Sequence, residues 1–180
     1  QLCLKYRGTD PVALAVQIMN SPVVGIHGVE HHFIVPAVML TVLHNSGKIN
    51  AEPAWLLDLA EKRATEESPL KCEYDKGNCG AAVGTGIFLD IFLSRMPYAD
   101  QTKSAVKAVV DDALRIIRES HGPRCCKRDT YLSLETIVRY LNEKHGTNLP
   151  LSEAKCTFSL RNDSCGREGC NYYNISNDLV

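Results

Sequence analysis

Residues Asp100–Gly122 read DQTKSAVKAVVDDALRIIRESHG, and their apolar positions decide the fold class. Val106, Val109, Val110, Ala113, Leu114 and Ile117 recur at spacings of three and four, which places them on one side of an α-helix. Arg118, His121 and Gly122 close the segment.

The same period appears in other segments. Leu134, Ile137, Val138 and Leu141 mark a last long helix after Pro123 that stops at His145–Gly146. Asp10–Pro11 is a cap followed by proline at the first helical position, and Val12, Val16 and Met19 line the short helix it opens, up to Ser21–Pro22. His27–His44 is apolar nearly all round, which predicts a buried core helix, kinked at Pro36. Pro36 has no N–H to give the carbonyl of His32, so that carbonyl is freed beside a histidine cluster. Asn50 is expected to cap a helix that turns Trp55, Leu56 and Leu59 inward, with residues 64–78 as a loop. A further helix begins near Cys79, and Gly80, Ala81, Ala82, Gly84 and Gly86 let another backbone approach it closely. No stretch alternates as a strand does. The reading is an all-α single domain, residues 1–180, of about six helices, with an irregular cysteine-rich segment at 152–180.

Composition bounds the function. With 20 Lys and Arg against 21 Asp and Glu, no global field draws the chain to nucleic acid or an anionic membrane. The longest uncharged apolar run, Phe33–Leu43, is far short of the roughly 20 residues that cross a bilayer, so no membrane partner is expected. Gln1 is not a methionine and no signal peptide opens the sequence, which allows for upstream sequence missing from this chain. Eight cysteines occur in groups, and the adjacent Cys125–Cys126 pair is poorly suited to bond to itself. Free thiols in number fit a reducing, cytoplasmic setting. The even count and the triplet Asn174–Ile175–Ser176 keep a secreted, disulfide-bonded alternative open.

Three constellations carry chemistry. His27, Glu30 and His31 fall at helical spacing and are candidates for acid/base groups or metal ligands. The order is not that of a zinc-protease helix, because Gly28 follows His27 and Glu30 precedes His31. In Gly122–Pro123–Arg124–Cys125–Cys126–Lys127–Arg128, two thiols stand among three cations at a helix entrance. That pattern predicts lowered thiol pKa values, anion binding by Arg124, Lys127 and Arg128, and Cys125 as a candidate nucleophile. Cys79, at a helix start, is expected to favour its thiolate for the same reason. In the tail, Cys156, Cys165 and Cys170 are spaced like a metal knuckle, with Cys79, Cys126 or a histidine as candidates for the fourth ligand of zinc or an iron–sulfur cluster. Packing cysteines, solvated cations and hydrogen-bonded histidines are the plainer alternatives.

The strings His27–Gly28–Val29–Glu30–His31–His32, Gly77–Asn78–Cys79–Gly80–Ala81–Ala82, Gly122–Pro123–Arg124–Cys125–Cys126–Lys127–Arg128 and Cys156…Cys165…Cys170 together resemble an uncharacterised domain family of anaerobic bacteria and methanogenic archaea. The likeness runs from about Asp10 to Tyr173, with Val29 where that family has proline. The resemblance implies an oxygen-avoiding cytoplasmic setting. It also implies, as partners, an upstream cysteine-rich zinc-ribbon-like module, a methyltransferase or a radical-chemistry protein. It implies no activity. The residues point first to a thiolate-rich metal protein serving redox, sulfur-transfer or methyl-transfer chemistry. A structural-zinc docking module and a metal-free cysteine-nucleophile enzyme are the alternatives.

Overall fold

The computed structural model describes residues 1–68, 76–94, 102–120 and 122–174, and among these the fold is all-α. Seven helices follow in order: α1 (Leu2–Lys5), α2 (Pro11–Met19), α3 (Glu30–Asn45), α4 (Pro53–Glu67), α5 (Gly80–Leu93), α6 (Thr102–Glu119) and α7 (Cys126–His145). Two single-turn 3-10 segments, Ser159–Arg161 and Arg167–Gly169, are the regular pieces among the described residues of the C-terminal segment. Cys72, His121 and residues 175 and 176 of the Asn-Ile-Ser triplet lie outside the described residues.

Local chemistry sets most of the boundaries. Asp10 Oδ1 accepts from the amides of Val12 (2.9 Å) and Ala13 (3.4 Å), with Pro11 in the first turn. α7 ends at Gly146 in the left-handed conformation at φ 57°, which glycine adopts without steric cost. Three expectations are corrected. The cap of α4 is Glu52 rather than Asn50, its carboxylate accepting from Ala54 N (3.0 Å) and Trp55 N (2.6 Å). α4 runs on to Glu67, through what the charged sequence suggested was loop, and its Trp55 is 48% exposed while Leu56 is buried. α3 starts at Glu30 and not at His27, because Glu30 Oε1 bends back to accept the amide of Gly25 (2.9 Å) and holds residues 25–29 as turns.

The all-round apolar α3 and α5 form the centre, packed on each other, with α4 and α7 touching both. α2 lies on α3 and α7, and α6 lies on α5 and α7. Val35, Val38, Met39, Val42 and Leu43 of α3 meet a core that includes Ala82, Phe88, Leu89, Leu134, Ile137 and Leu141. The glycines of α5 permit this closeness. A Cβ on Gly84 would stand 3.0 Å from the His32 carbonyl oxygen, 3.0 Å from Pro36 Cδ and 3.2 Å from Val35 Cβ. The carbonyl that Pro36 leaves without its helical donor is therefore packed against α5.

Gly84→Ala is expected to push α3 from α5 and lower unfolding stability by about 1–3 kcal/mol, measured by urea denaturation. Gly169→Ala, whose added carbon meets nothing within 4 Å, is the neutral control.

Candidate functional site

Three helix N-termini meet at one end of the bundle. His32, in the first turn of α3, lays its ring where a Cβ of Gly80, the first residue of α5, would stand at 1.9 Å from His32 Cδ2. Cys79, the N-cap of α5, directs Sγ at Asp129 Oδ2 in the first turn of α7, 3.9 Å away. His31 of α3 and Lys127 of α7 lie in electrostatic range of each other. The histidine string, the Cys79–Gly80 string and the Cys125–Cys126 string are thus brought together. Each N-terminus carries a partial positive charge, so the junction favours anionic groups.

The interior of the junction is paired with care. Arg128, 4% exposed, sends Nε and Nη2 to Asp129 Oδ1 (both 3.1 Å) and donates Nη1–H to the carbonyl of Pro123 (3.1 Å). Lys127 is also turned inward: Nζ donates to the Met19 carbonyl (3.2 Å) and stands 4.8 Å from the centre of the Phe158 ring. Burial pulls its ammonium down to about 8. Arg124 Nη2 lies 3.9 Å from Cys126 Sγ. All three cations proposed from sequence as anion binders therefore already have protein partners.

The histidines divide. His31 is buried, and its Nδ1–H donates to the Gly28 carbonyl (3.1 Å), which leaves the Nε2 lone pair pointing inward with no hydrogen-bond partner among the described residues. Burial, helped by the charge of Lys127, lowers its pKa to about 4, so the ring is neutral. His27 precedes α3, beside Asn162 and Arg124, and burial lowers its pKa too. Glu30 stands 3.9 Å from His31 Nδ1, with Oε1 on the Gly25 amide. The residue that sequence reasoning left unassigned is His32. It lines a cavity of about 310 Å³ with Val29, Phe33, Glu61 and Thr65. The signal was Gly80, a glycine whose missing Cβ makes room for that ring.

The thiols form two neighbourhoods. The C-terminal segment folds back over the start of α7, where Asn162 Nδ2 lies 3.8 Å from Cys125 Sγ and the Cys156 amide donates to the Tyr172 carbonyl (2.7 Å). Cys156 lies in electrostatic range of Cys125, Cys165 and Cys170. Backbone amides are aimed at two sulfurs in the same register: Phe158 N at Cys156 Sγ and Arg167 N at Cys165 Sγ, each at 3.4 Å, two residues on. Arg167 takes a left-handed φ of 45° to do so. Cys79, by contrast, has Asp129 and Cys126 as its ionisable neighbours. The lowered thiol pKa values expected at the two helix entrances are corrected: burial pushes Cys79 up to about 12 and Cys125 up to about 11, outweighing the helix ends and the cations. All seven described cysteines are free thiols. Among the described residues no three His, Cys, Asp or Glu side chains already stand together ready to hold a metal ion, and no helix is long and apolar enough to cross a membrane.

Asp129 and His31, each 1% exposed, respond to pH in opposite senses. Burial raises Asp129 to about 6 from an ordinary 3.8, so between those values the folded state holds a proton that the unfolded state has lost, and stability falls as pH rises. His31 is lowered to about 4 from 6.5, so there the unfolded state holds the extra proton and stability rises with pH. Each effect is at most about 3 kcal/mol. In thermal melts from pH 4 to 6.5, Asp129→Asn is expected to steepen the rise of stability with pH, and His31→Gln to flatten it.

In comparison with protein families, the model of a family of unknown function (DUF5714) matches residues 1–173. No curated protein and no solved structure matches the chain.

Proposed function

The chain belongs to that family of unknown function, and on that premise we propose that it is a thiolate metal protein whose centre is held by Cys125, Cys156, Cys165 and Cys170. The observation that carries this reading is the repeated amide-to-sulfur register in the C-terminal segment. Phe158 N and Arg167 N each point at the sulfur two residues earlier, and an N–H aimed at sulfur stabilises negative charge there. Cys125 replaces Cys79 or Cys126 as the fourth ligand, because Cys125 is the helix-entrance thiol that neighbours Cys156.

The four residues fit the group chemically. Four thiolates suit zinc or an iron–sulfur cluster, and both accept ligands distant in sequence. Burial alone makes Cys125, at about 11, and Cys156, also raised, poor anions. A bound cation inverts that balance and drives the thiol protons off. Side-chain rotation of the cysteines is needed to bring all four sulfurs to one point, and metal binding provides the driving force for it. The centre, when loaded, would supply redox, sulfur-transfer or methyl-transfer chemistry. His27, hydrogen-bonded to the Asn162 that lies beside Cys125, is the imidazole in this neighbourhood suited to move a proton.

A metal-free cysteine nucleophile at Cys125 gains less support, because a nucleophile must be ionised near neutral pH and burial opposes that here.

Protein purified without oxygen is expected to carry zinc, or iron with acid-labile sulfide. Cys156→Ser and Cys165→Ser are each expected to lower the metal content at least tenfold, while Cys3→Ser leaves it intact. Addition of metal to the stripped protein should release protons, read in a weakly buffered solution. Metal retained in both tail variants, or none in the anaerobic wild type, would sink this assignment.

A further inference from the structure

The cavity beside His32 belongs to neither cysteine neighbourhood. It lies between the start of α3 and the second half of α4, and its volume of about 310 Å³ is at the small end of the range, about 300–1,000 Å³, that small-molecule sites occupy. Val29, Phe33 and Ala64 give it apolar walls. Two polar side chains, each more than nine-tenths buried, stand among them with no hydrogen-bond partner among the described residues. The ring of His32 is one, on a residue 6% exposed. Its atoms nearest the place of a Gly80 Cβ are Cδ2, Nε2 and Cγ, so Nδ1 is on the side away from α5. The hydroxyl of Ser68, 7% exposed, is the other. Buried polar groups are rarely left unpaired, so these two mark a place for an outside partner.

Charge says what that partner is. Among the described residues Glu30 and Glu61 line the cavity, and no Lys or Arg does. Glu30 Oε1 already accepts the Gly25 amide (2.9 Å). Glu61 is exposed, and the cations beside it in α4 are engaged elsewhere, Lys62 with Glu66 (3.9 Å) and Arg63 with Glu67 and Asp90. An open groove on the outer side of α4 shares Glu61 and Thr65 with the cavity and adds Asp58 and Glu66 against Lys62, so the approach is acidic as well. Burial lowers the pKa of His32, which keeps a second positive charge out of the cavity. No three metal-ligating side chains stand together among the described residues, so an organic cation suits the space better than a metal ion. We propose that this cavity binds a small organic amine, with its ammonium on Glu61, its apolar body against Val29, Phe33 and Ala64, and any polar substituent on His32 and Ser68. The site uses none of the four cysteines assigned to the metal centre.

The test is an NMR titration of the full chain at neutral pH with 2-phenylethylamine, an ammonium on a short apolar body. A parallel titration uses 2-phenylethanol, which has nearly the same shape and no charge. The amine is expected to bind saturably, with a Kd of about 1 mM or tighter, and to shift the methyl signals of Val29 and Ala64. The alcohol should bind at least fivefold more weakly. Glu61→Gln, a change at an exposed helix position, should weaken the amine at least fivefold, whereas Glu153→Gln, at an exposed acid outside the cavity, should leave its affinity as in wild type. Equal affinity for amine and alcohol, wild-type affinity in Glu61→Gln, shifts confined to residues away from the cavity, or no saturation by about 10 mM would each overturn the proposal. The wild-type comparison of amine with alcohol decides the question by itself if Glu61→Gln does not fold.

Discussion

The close approach of α3 to α5 is the constraint on which the rest of the structure depends. It requires two glycines for different reasons. Gly84 lets the His32 carbonyl and the Pro36 ring settle against the α5 backbone, and Gly80 leaves room for the His32 imidazole over the first turn. Two helices that meet at their first turns and pack side by side in the same direction bring their positive ends together. α7 joins them through the contact of Cys79 with Asp129. A bundle of alternating helices would cancel these dipoles; this one concentrates them.

That concentration explains why charged residues at the junction are buried in pairs. An unpaired buried charge is costly, so Arg128 lies on Asp129 and on a backbone carbonyl, and Lys127 lies on the Met19 carbonyl and the Phe158 ring. Burial still dominates the titration of nearly every group there, raising the thiols and Asp129 and lowering the histidines. Strongly displaced titratable groups in one place are a physical mark of a functional site.

The sequence made the peripheral logic legible and the central logic less so. Asp10 with Pro11, Gly146, and the apolar rows of α6 and α7 depend on neighbours within a few residues, and each reads directly. The start of α3 does not, because it depends on the Glu30 carboxylate folding back to Gly25. Nor does Glu52 outcompeting Asn50 as a cap, since side-chain reach decides it. The spacing of Cys156, Cys165 and Cys170 is visible in the sequence, but that Cys125 lies against Asn162 of the tail is not. Adjacent residues at a helix entrance diverge, and only the fold says which of them faces the tail. The sign of the thiol pKa shifts was misread for a related reason: cations and helix ends are visible in sequence, whereas burial is not.

The raised thiols bear on how the two cysteine neighbourhoods differ. A buried sulfur with a high pKa is inert until something supplies positive charge or removes the proton. In the tail, backbone amides are aimed at the sulfurs of Cys156 and Cys165, and such partial positive charge favours an anion there; at Cys156 burial outweighs it. At the junction, Cys79 has a carboxylate instead, which receives its S–H but repels a resident anion on the sulfur. Negative charge from Asp129 thus adds to burial in disfavouring a Cys79 thiolate. One helix entrance, with Cys125 turned to the tail and Cys126 toward the junction, presents the same element to two different electrostatic settings.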